Sequence, residues 1–211
     1  MINLKYKGEN VLLTEGKNDC HVILSLCALH NVPECFGFFD CGSDDRVLKK
    51  MSALIAGSEP IKTIGVILDA DNPSLRAKWD SLKNRLTKEN YTLPKFPEKN
   101  GTIVNSEGKP KVGIWLMPDN DVDGMLEDFC HQLVDDEAIE FATDCVQQAK
   151  ARQITSFIDN HHSKAVVHTF LAWQDEPGMP LGQAITAKAL DGNKPLAHNF
   201  SEFLKNLFKK I

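Results

Sequence analysis

Ile61-Lys62-Thr63-Ile64-Gly65-Val66-Ile67-Leu68-Asp69-Ala70-Asp71 decides how the chain is read. Ile64, Val66, Ile67 and Leu68 are apolar whichever face they occupy. Residues 61–68 therefore predict a strand covered on both sides, as central strands of parallel sheets are. Asp69-Ala70-Asp71 ends it. Asn72 is then expected to cap, and Pro73 to open, a helix whose buried stripe is Leu75, Trp79, Leu82 and Leu86.

Upstream, the same alternation occurs twice. Val11 to Thr14 is a short β-rich run, broken by Glu15-Gly16-Lys17-Asn18-Asp19. Val22, Ile23, Leu26 and Leu29 then recur at helical spacing. Phe36 to Asp40 predicts a second strand, and Gly42-Ser43-Asp44 a turn and N-cap. Val47, Leu48, Met51, Leu54 and Ile55 make the next helical face, which stops at Gly57. This βαβαβα rhythm implies an α/β fold with a doubly wound, Rossmann-like parallel sheet flanked by helices.

Downstream the rhythm is interrupted. Pro94, Pro97, Gly101, Gly108 and Pro110 mark an insertion over about 87–111, expected as a hairpin through residues 101–104 that returns along 111–117. Val112-Gly113-Ile114-Trp115-Leu116-Met117 is the expected fourth strand, ending at Pro118-Asp119-Asn120. After residue 124 the pattern is helical, with Ile139, Ala142, Val146 and Ala149 in one stripe and Phe200, Phe203, Leu204, Leu207 and Phe208 in another. The expected division is an α/β domain over 1–130 and a helical C-terminal extension, 131–211, packed on it.

The 211 residues are 42% apolar and 25% charged, enough to bury a core and too apolar for disorder. No run approaches the roughly 18 apolar residues of a membrane helix, and Met1 to Lys5 lack a signal-peptide layout. The expectation is a cytoplasmic protein without a membrane partner. Six cysteines show no C-x-x-C spacing and no metal-type spacing to histidine, which predicts reduced, mostly buried thiols.

The net charge of −5 is unevenly distributed. Residues 119–144 hold ten acids and no Lys or Arg, so the remainder carries a net +5. Basic residues gather in the insertion (Lys95, Lys99, Lys109, Lys111) and near the C-terminus (Lys205, Lys209, Lys210), suited to phosphate contact. Net acidity therefore does not count against a nucleic-acid substrate.

Ligands of open α/β sheets bind outside the carboxyl ends of the strands. Glu15 ends the first strand, Asp69 and Asp71 the third, and Asp119 follows the fourth. Period-2 geometry places Asp69 and Asp71 on the same side. Such hard oxygen donors suit Mg²⁺ or Mn²⁺, ions that serve phosphoryl transfer. The competing reading, that these acids only cap helices, is strong for Asp19 and Asp44. It is weak for Glu15 together with Asp69 and Asp71, since neighbouring carboxylates repel unless a cation offsets them.

Thr14-Glu15-Gly16-Lys17-Asn18-Asp19, followed by Leu68-Asp69-Ala70-Asp71, resembles the TOPRIM domain over about residues 9–130. That domain occurs in primases, topoisomerases, small maturation ribonucleases and nucleases of the overcoming-lysogenization-defect class. Met117-Pro118-Asp119-Asn120, Leu126-Glu127-Asp128-Phe129 and Leu171-Ala172-Trp173-Gln174 through Pro180-Leu181-Gly182 are similar to a small bacterial family of TOPRIM-like proteins of unassigned function.

The resemblance implies Asp69 and Asp71 as ligands of Mg²⁺ or Mn²⁺, and Glu15 as ligand or general acid/base. By the nuclease branch it further implies Asp19 as a ligand. Asp119, Glu127 and Asp128 are candidates for a second metal, and Lys164 for a catalytic phosphate contact. No topoisomerase-like setting surrounds Tyr6 or Tyr91, and there are no primase zinc cysteines and no ATPase P-loop. Any ATPase partner is then a separate chain.

The expected function is a metal-dependent nuclease hydrolysing DNA or RNA, a reaction in which water attacks a phosphodiester. Family-level analogy adds a bacterial defence or toxin module. The rival is a non-catalytic adaptor that binds a partner protein through Asp135, Asp136, Glu137 and Glu140. Homo-oligomerisation stays open.

Other local signals are weaker. Asp119-Asn120-Asp121-Val122-Asp123-Gly124 begins like an EF-hand loop, but Cys130 stands where its bidentate Glu belongs. His161 and His162 are expected at a surface or helix boundary, with His168 one turn from Lys164 as an auxiliary. Trp173 is expected in the core, and Gly178 and Gly182 as a helix break.

Overall fold

A computed structural model describes residues 8–209. Met1 to Lys5, Tyr6 and Lys210 lie outside the described residues. The sheet comprises β1 (Asn10–Thr14), β2 (Gly37–Asp40), β3 (Thr63–Asp69), β4 (Thr102–Val104) and β5 (Lys111–Met117) in the order β2-β1-β3-β5-β4. All neighbours are parallel except β4, which runs antiparallel to β5 as the inserted hairpin. The α/β class and the central position of the 61–68 run are as expected.

The helices are α1 (Lys17–His30), α2 (Asp44–Ala56), α3 (Leu75–Lys88), α4 (Leu126–His131), α5 (Asp136–Ala151), α6 (His162–Leu171), α7 (Leu181–Thr186) and α8 (Pro195–Phe208). A 3-10 turn, Asp159–His161, precedes α6, so the His161-His162 pair does stand at a helix boundary. Ser43 caps α2 by accepting from the Arg46 N–H, and Gly57 ends that helix.

The start of α3 differs from expectation. Ser74, not Asn72, is the N-cap, accepting from the Ala77 N–H, and the helix begins at Leu75 after a cis Asn72–Pro73 bond. Ser is as good a cap as Asn, and Pro73 lies outside the helix instead of opening it.

The sheet divides the interior into two cores. Val11, Leu13, Ile64, Val66, Leu68, Val112, Ile114 and Leu116 face α2 and α3, where Val47, Met51, Leu54, Trp79, Leu82 and Leu86 cover them. Leu12, Ile67, Trp115 and Met117 face the other way, into one cluster with Phe129, Val167, Phe200, Phe203, Leu204 and Leu207. The sequence beyond residue 130 thus shares a core with the sheet.

α8 lies directly on the strands because two paired glycines leave room for it. Gly65 and Gly113 are in register. A Cβ on Gly113 would stand 2.5 Å from Leu207 Cδ1, and one on Gly65 2.3 Å from Leu12 Cδ1 and 3.1 Å from Leu207 Cδ2. Gly182 was expected to break a helix but sits inside α7, where a Cβ would meet the α1 backbone at His21, 2.7 Å away. Its carbonyl accepts from Ser25 Oγ at 2.8 Å. Gly178, at φ +76°, does mark a break.

Trp173 is a second correction. It is 47% exposed and packs its ring 5.5 Å from that of Phe141, itself 62% exposed. The core positions of that stretch are Phe170 and Leu171, which the helical period turns inward instead. All six cysteines are free, with Cys20, Cys27 and Cys130 buried and the other three half-buried.

Candidate functional site

β1 ends at Thr14, whose hydroxyl donates to the Gly16 carbonyl at 3.2 Å and bends the chain into α1. Asp19, in the first turn of α1, accepts from the Gly16 N–H at 3.0 Å. The capping role expected of Asp19 is real, and the same side chain lines an acidic cavity.

Across the sheet edge, Glu15 Oε1 accepts from the Asp69 N–H at 2.9 Å, tying the end of β1 to the end of β3. Asp69 Oδ1 accepts from the Leu126 N–H at 2.9 Å, at the start of α4. The loop before α4 is drawn in by two further bonds. The Ala70 N–H donates to the Gly124 carbonyl and the Leu75 N–H to Asp123 Oδ1, both at 2.7 Å. Four segments far apart in sequence therefore converge at the carboxyl end of the sheet, as the fold requires.

The cavity there measures about 410 Å³ and is lined by Glu15, Asp19, Asp69, Glu127 and Lys164 among others. Glu127 is buried in the first turn of α4, and its Oε1 lies 3.3 Å from Lys164 Nζ on α6. Five sequence-predicted residues are thus brought together. Asp71 does not line the cavity, although its charge is felt by both Glu15 and Asp69. Asp119 turns into its own loop, accepting from the N–H groups of Asp121 and Val122 at 3.0 and 3.1 Å. Asp128 accepts from the Met125 N–H and from Ser163 Oγ, linking α4 to α6. His168 is not among the cavity residues.

The electrostatics of the cluster are strained towards protonation. Burial pushes Asp69 up to about 8, and the nearby charges of Asp19, Glu15 and Asp71 push the same way. Burial likewise raises Asp19 to about 7, with Glu15 and Glu127 adding to it. Burial also raises Glu15, opposed by its bond from the Asp69 N–H and by the charge of Lys78. Around neutral pH Asp69 and, in part, Asp19 hold protons that a cation would displace.

Two contributors leave no recognisable mark in the sequence. Lys78 is only 5% exposed and reaches the half-exposed Asp44 at Oδ2, 2.6 Å away, so a partly buried ion pair flanks Glu15 on the α2–α3 side. Lys78 sits beside the stripe residue Trp79, and a lone lysine next to an apolar stripe reads as solvent-facing. Asn120 is buried at φ 67°. Its side chain accepts from the Leu116 N–H at 2.7 Å and donates to the Lys99 carbonyl at 3.4 Å, fixing the turn after β5.

Among the described residues, no three His, Cys, Asp or Glu side chains already stand in an arrangement that would hold a metal ion. What fits is the donor chemistry. Glu15, Asp19 and Asp69 supply only carboxylate oxygens, each with one oxygen held by a backbone N–H, in a cavity with excess negative charge. No helix among the described residues is long and apolar enough to cross a membrane.

A family described as "Protein of unknown function (DUF3226)" matches residues 9–209. No curated protein matches the sequence. Among solved structures, the C-terminal region of the OLD protein of Xanthomonas campestris pv. campestris is similar, with a TM-score of 0.50 at 12% identity. The match covers 96% of each chain, which supports a shared fold.

Proposed function

We propose that this chain, which belongs to the DUF3226 family of proteins of unknown function, is a TOPRIM-type phosphodiester hydrolase: a nuclease dependent on Mg²⁺ or Mn²⁺. The observation that carries this reading is the convergence of Glu15, Asp19 and Asp69 in one cavity, with Asp19 and Asp69 raised to about 7 and 8 by burial and mutual repulsion. A charge arrangement this unfavourable is typical of sites whose function needs it. The fold shared with an OLD C-terminal region agrees with the reading.

Asp19 and Asp69 would hold the cation, with Asp71 and Glu127 close enough to add charge. A divalent cation bound there would supply Lewis-acid chemistry and offset negative charge. The chain's own residues do the rest. Glu15, raised by burial and oriented by the Asp69 N–H, accepts a proton from the attacking water. Lys164, half-exposed at the cavity mouth, exchanges its contact with Glu127 for one with the phosphate. The test is cleavage of single- and double-stranded DNA and RNA with Mg²⁺, Mn²⁺ or chelator. Metal-dependent cleavage abolished by Asp69→Asn is the expected result, and cleavage indifferent to that substitution would overturn the reading.

One observation favours a second reading, an adaptor docking a partner protein. The exposed Phe141–Trp173 pair lies within an acidic stretch, with Glu137 one turn before Phe141 and Asp144 one turn after it. Trp79 and Trp115 are fully buried, so Trp173 emission reports this surface alone. Salt-sensitive quenching by a Lys/Arg-rich peptide, lost on Phe141→Ala, is the expected result under that reading. Quenching that is indifferent to salt, or that survives Phe141→Ala, would reject it.

A further inference from the structure

Phe96 lies in the loop joining α3 to β4 and remains 52% exposed, although two cations stand against its ring. The Arg76 guanidinium carbon is 5.0 Å from the ring centroid and Lys95 Nζ 5.1 Å. Arg76 is positioned by Asp80, which accepts from its Nε at 3.0 Å.

The loop is anchored to the scaffold at both ends. Trp79 Nε1 donates to the Lys95 carbonyl at 3.2 Å and Lys83 Nζ to the Pro94 carbonyl at 3.4 Å. At the other end, Asn120 Nδ2 donates to the Lys99 carbonyl at 3.4 Å. These anchors belong to α3 and to the turn after β5, both of which leave the carboxyl ends of strands. Leu75, beside Arg76, is bonded to Asp123, in the loop whose Gly124 and whose neighbour Leu126 bond to Ala70 and Asp69. Phe96 and the acidic cavity therefore share one edge of the sheet.

An anchored, half-exposed aromatic ring with two cations over it has the chemistry of a stacking platform that an unpaired base enters by displacing a cation. A base inside a duplex keeps its faces stacked on its neighbours and cannot use the ring. Arginine and lysine meet phosphate oxygens without reading sequence. We infer that Phe96, Arg76 and Lys95 form a track for single-stranded nucleic acid leading towards the acidic cavity, in which a base replaces a cation over the Phe96 ring and the cations move to its phosphates. The inference deepens the hydrolase reading, on which it rests for where the strand leads.

The test is anisotropy of a fluorescent oligothymidylate, its RNA counterpart and a blunt duplex, titrated in chelator so that nothing is cleaved. The expected result is tighter binding of either single strand than of the duplex. Phe96→Ala should weaken single-strand binding roughly 5- to 100-fold, and Phe96→Trp should restore it. Arg76→Gln and Lys95→Gln should each lower the slope of log affinity against log salt by about 0.7. Thermal melts of the Phe96 variants confirm the fold. Duplex binding as tight as single-strand binding, no binding of either, or Phe96→Ala binding like the parent overturns the track. If the track binds as expected but no metal supports cleavage, the hydrolase reading fails and the track stands. If metal-dependent cleavage occurs without Phe96-dependent binding, the track fails and the hydrolase stands.

Discussion

The Asp69 backbone N–H donates to Glu15 Oε1 across 2.9 Å, so the residue ending β3 holds the carboxylate that ends β1. Each residue then has two roles, since the Asp69 side chain binds the start of α4 while Glu15 faces the same cavity. Glu15→Gln keeps a carbonyl oxygen for the N–H but removes the charge. It should melt close to the parent while losing roughly 100-fold or more in cleavage. Glu15→Ala should lose the activity and also about 1–2 kcal/mol of stability, because the buried donor is left without its acceptor. Denaturant unfolding and a cleavage assay on both variants separate the two effects.

Folding stability should depend on pH in a direction set by Asp19 and Asp69. Both ordinarily titrate near 3.8 and are raised to about 7 and about 8 in the folded chain. Between those values the folded state binds more protons than the unfolded state. Their contribution is thus fully present below 3.8 and is lost as pH rises through 7 and 8. In chelator the melting temperature should fall over that window, and Asp69→Asn should flatten the fall. Added Mg²⁺ should restore melting temperature most at the alkaline end, where protons no longer compete.

The close fit of α8 on the sheet gives a prediction about the core. Gly113→Ala puts a methyl 2.5 Å from Leu207 Cδ1 and should cost about 1–3 kcal/mol. Leu207→Ala alone should cost about 2–5 kcal/mol by opening a cavity. The double variant should be more stable than the sum of the two losses predicts, because one change relieves the other. Additive losses would mean that the two side chains do not compete for the same space.

How much of this was legible in the sequence follows from where each signal lies. Strand β3 was readable because Ile64, Val66, Ile67 and Leu68 are buried on alternating faces, and the β4–β5 hairpin because glycines and prolines bound it. Glu15 and Asp69 were legible as acids at strand ends, Asp19 as a ligand only through the TOPRIM resemblance, and Asp71, expected beside Asp69, does not line the cavity. Lys78 and Asn120 were not readable, because a buried polar residue is defined by its partner: Asp44 lies 34 residues from Lys78, and Lys99 lies 21 from Asn120. Trp173 was misread because an aromatic in an apolar run gives no sign of its azimuth at a helix end, where it in fact meets Phe141.

Glu127 is the most buried acid paired to a cation in the cavity, and Lys164 is half-exposed. Lys164→Gln leaves the buried Glu127 without its cation and should cost about 1–3 kcal/mol, but should slow cleavage far more. Adding Glu127→Gln should recover the stability without recovering turnover. Recovery of both would assign the pair a purely structural role.

Calorimetric titration of Mn²⁺ into the parent and into Asp69→Asn most directly tests the central claim, that the convergent carboxylates form a divalent-cation site. The parent should bind saturably, more tightly as pH rises through about 8, and Asp69→Asn should lose that binding while keeping its fold. Absence of binding by the parent, or equal binding by the variant, would contradict it.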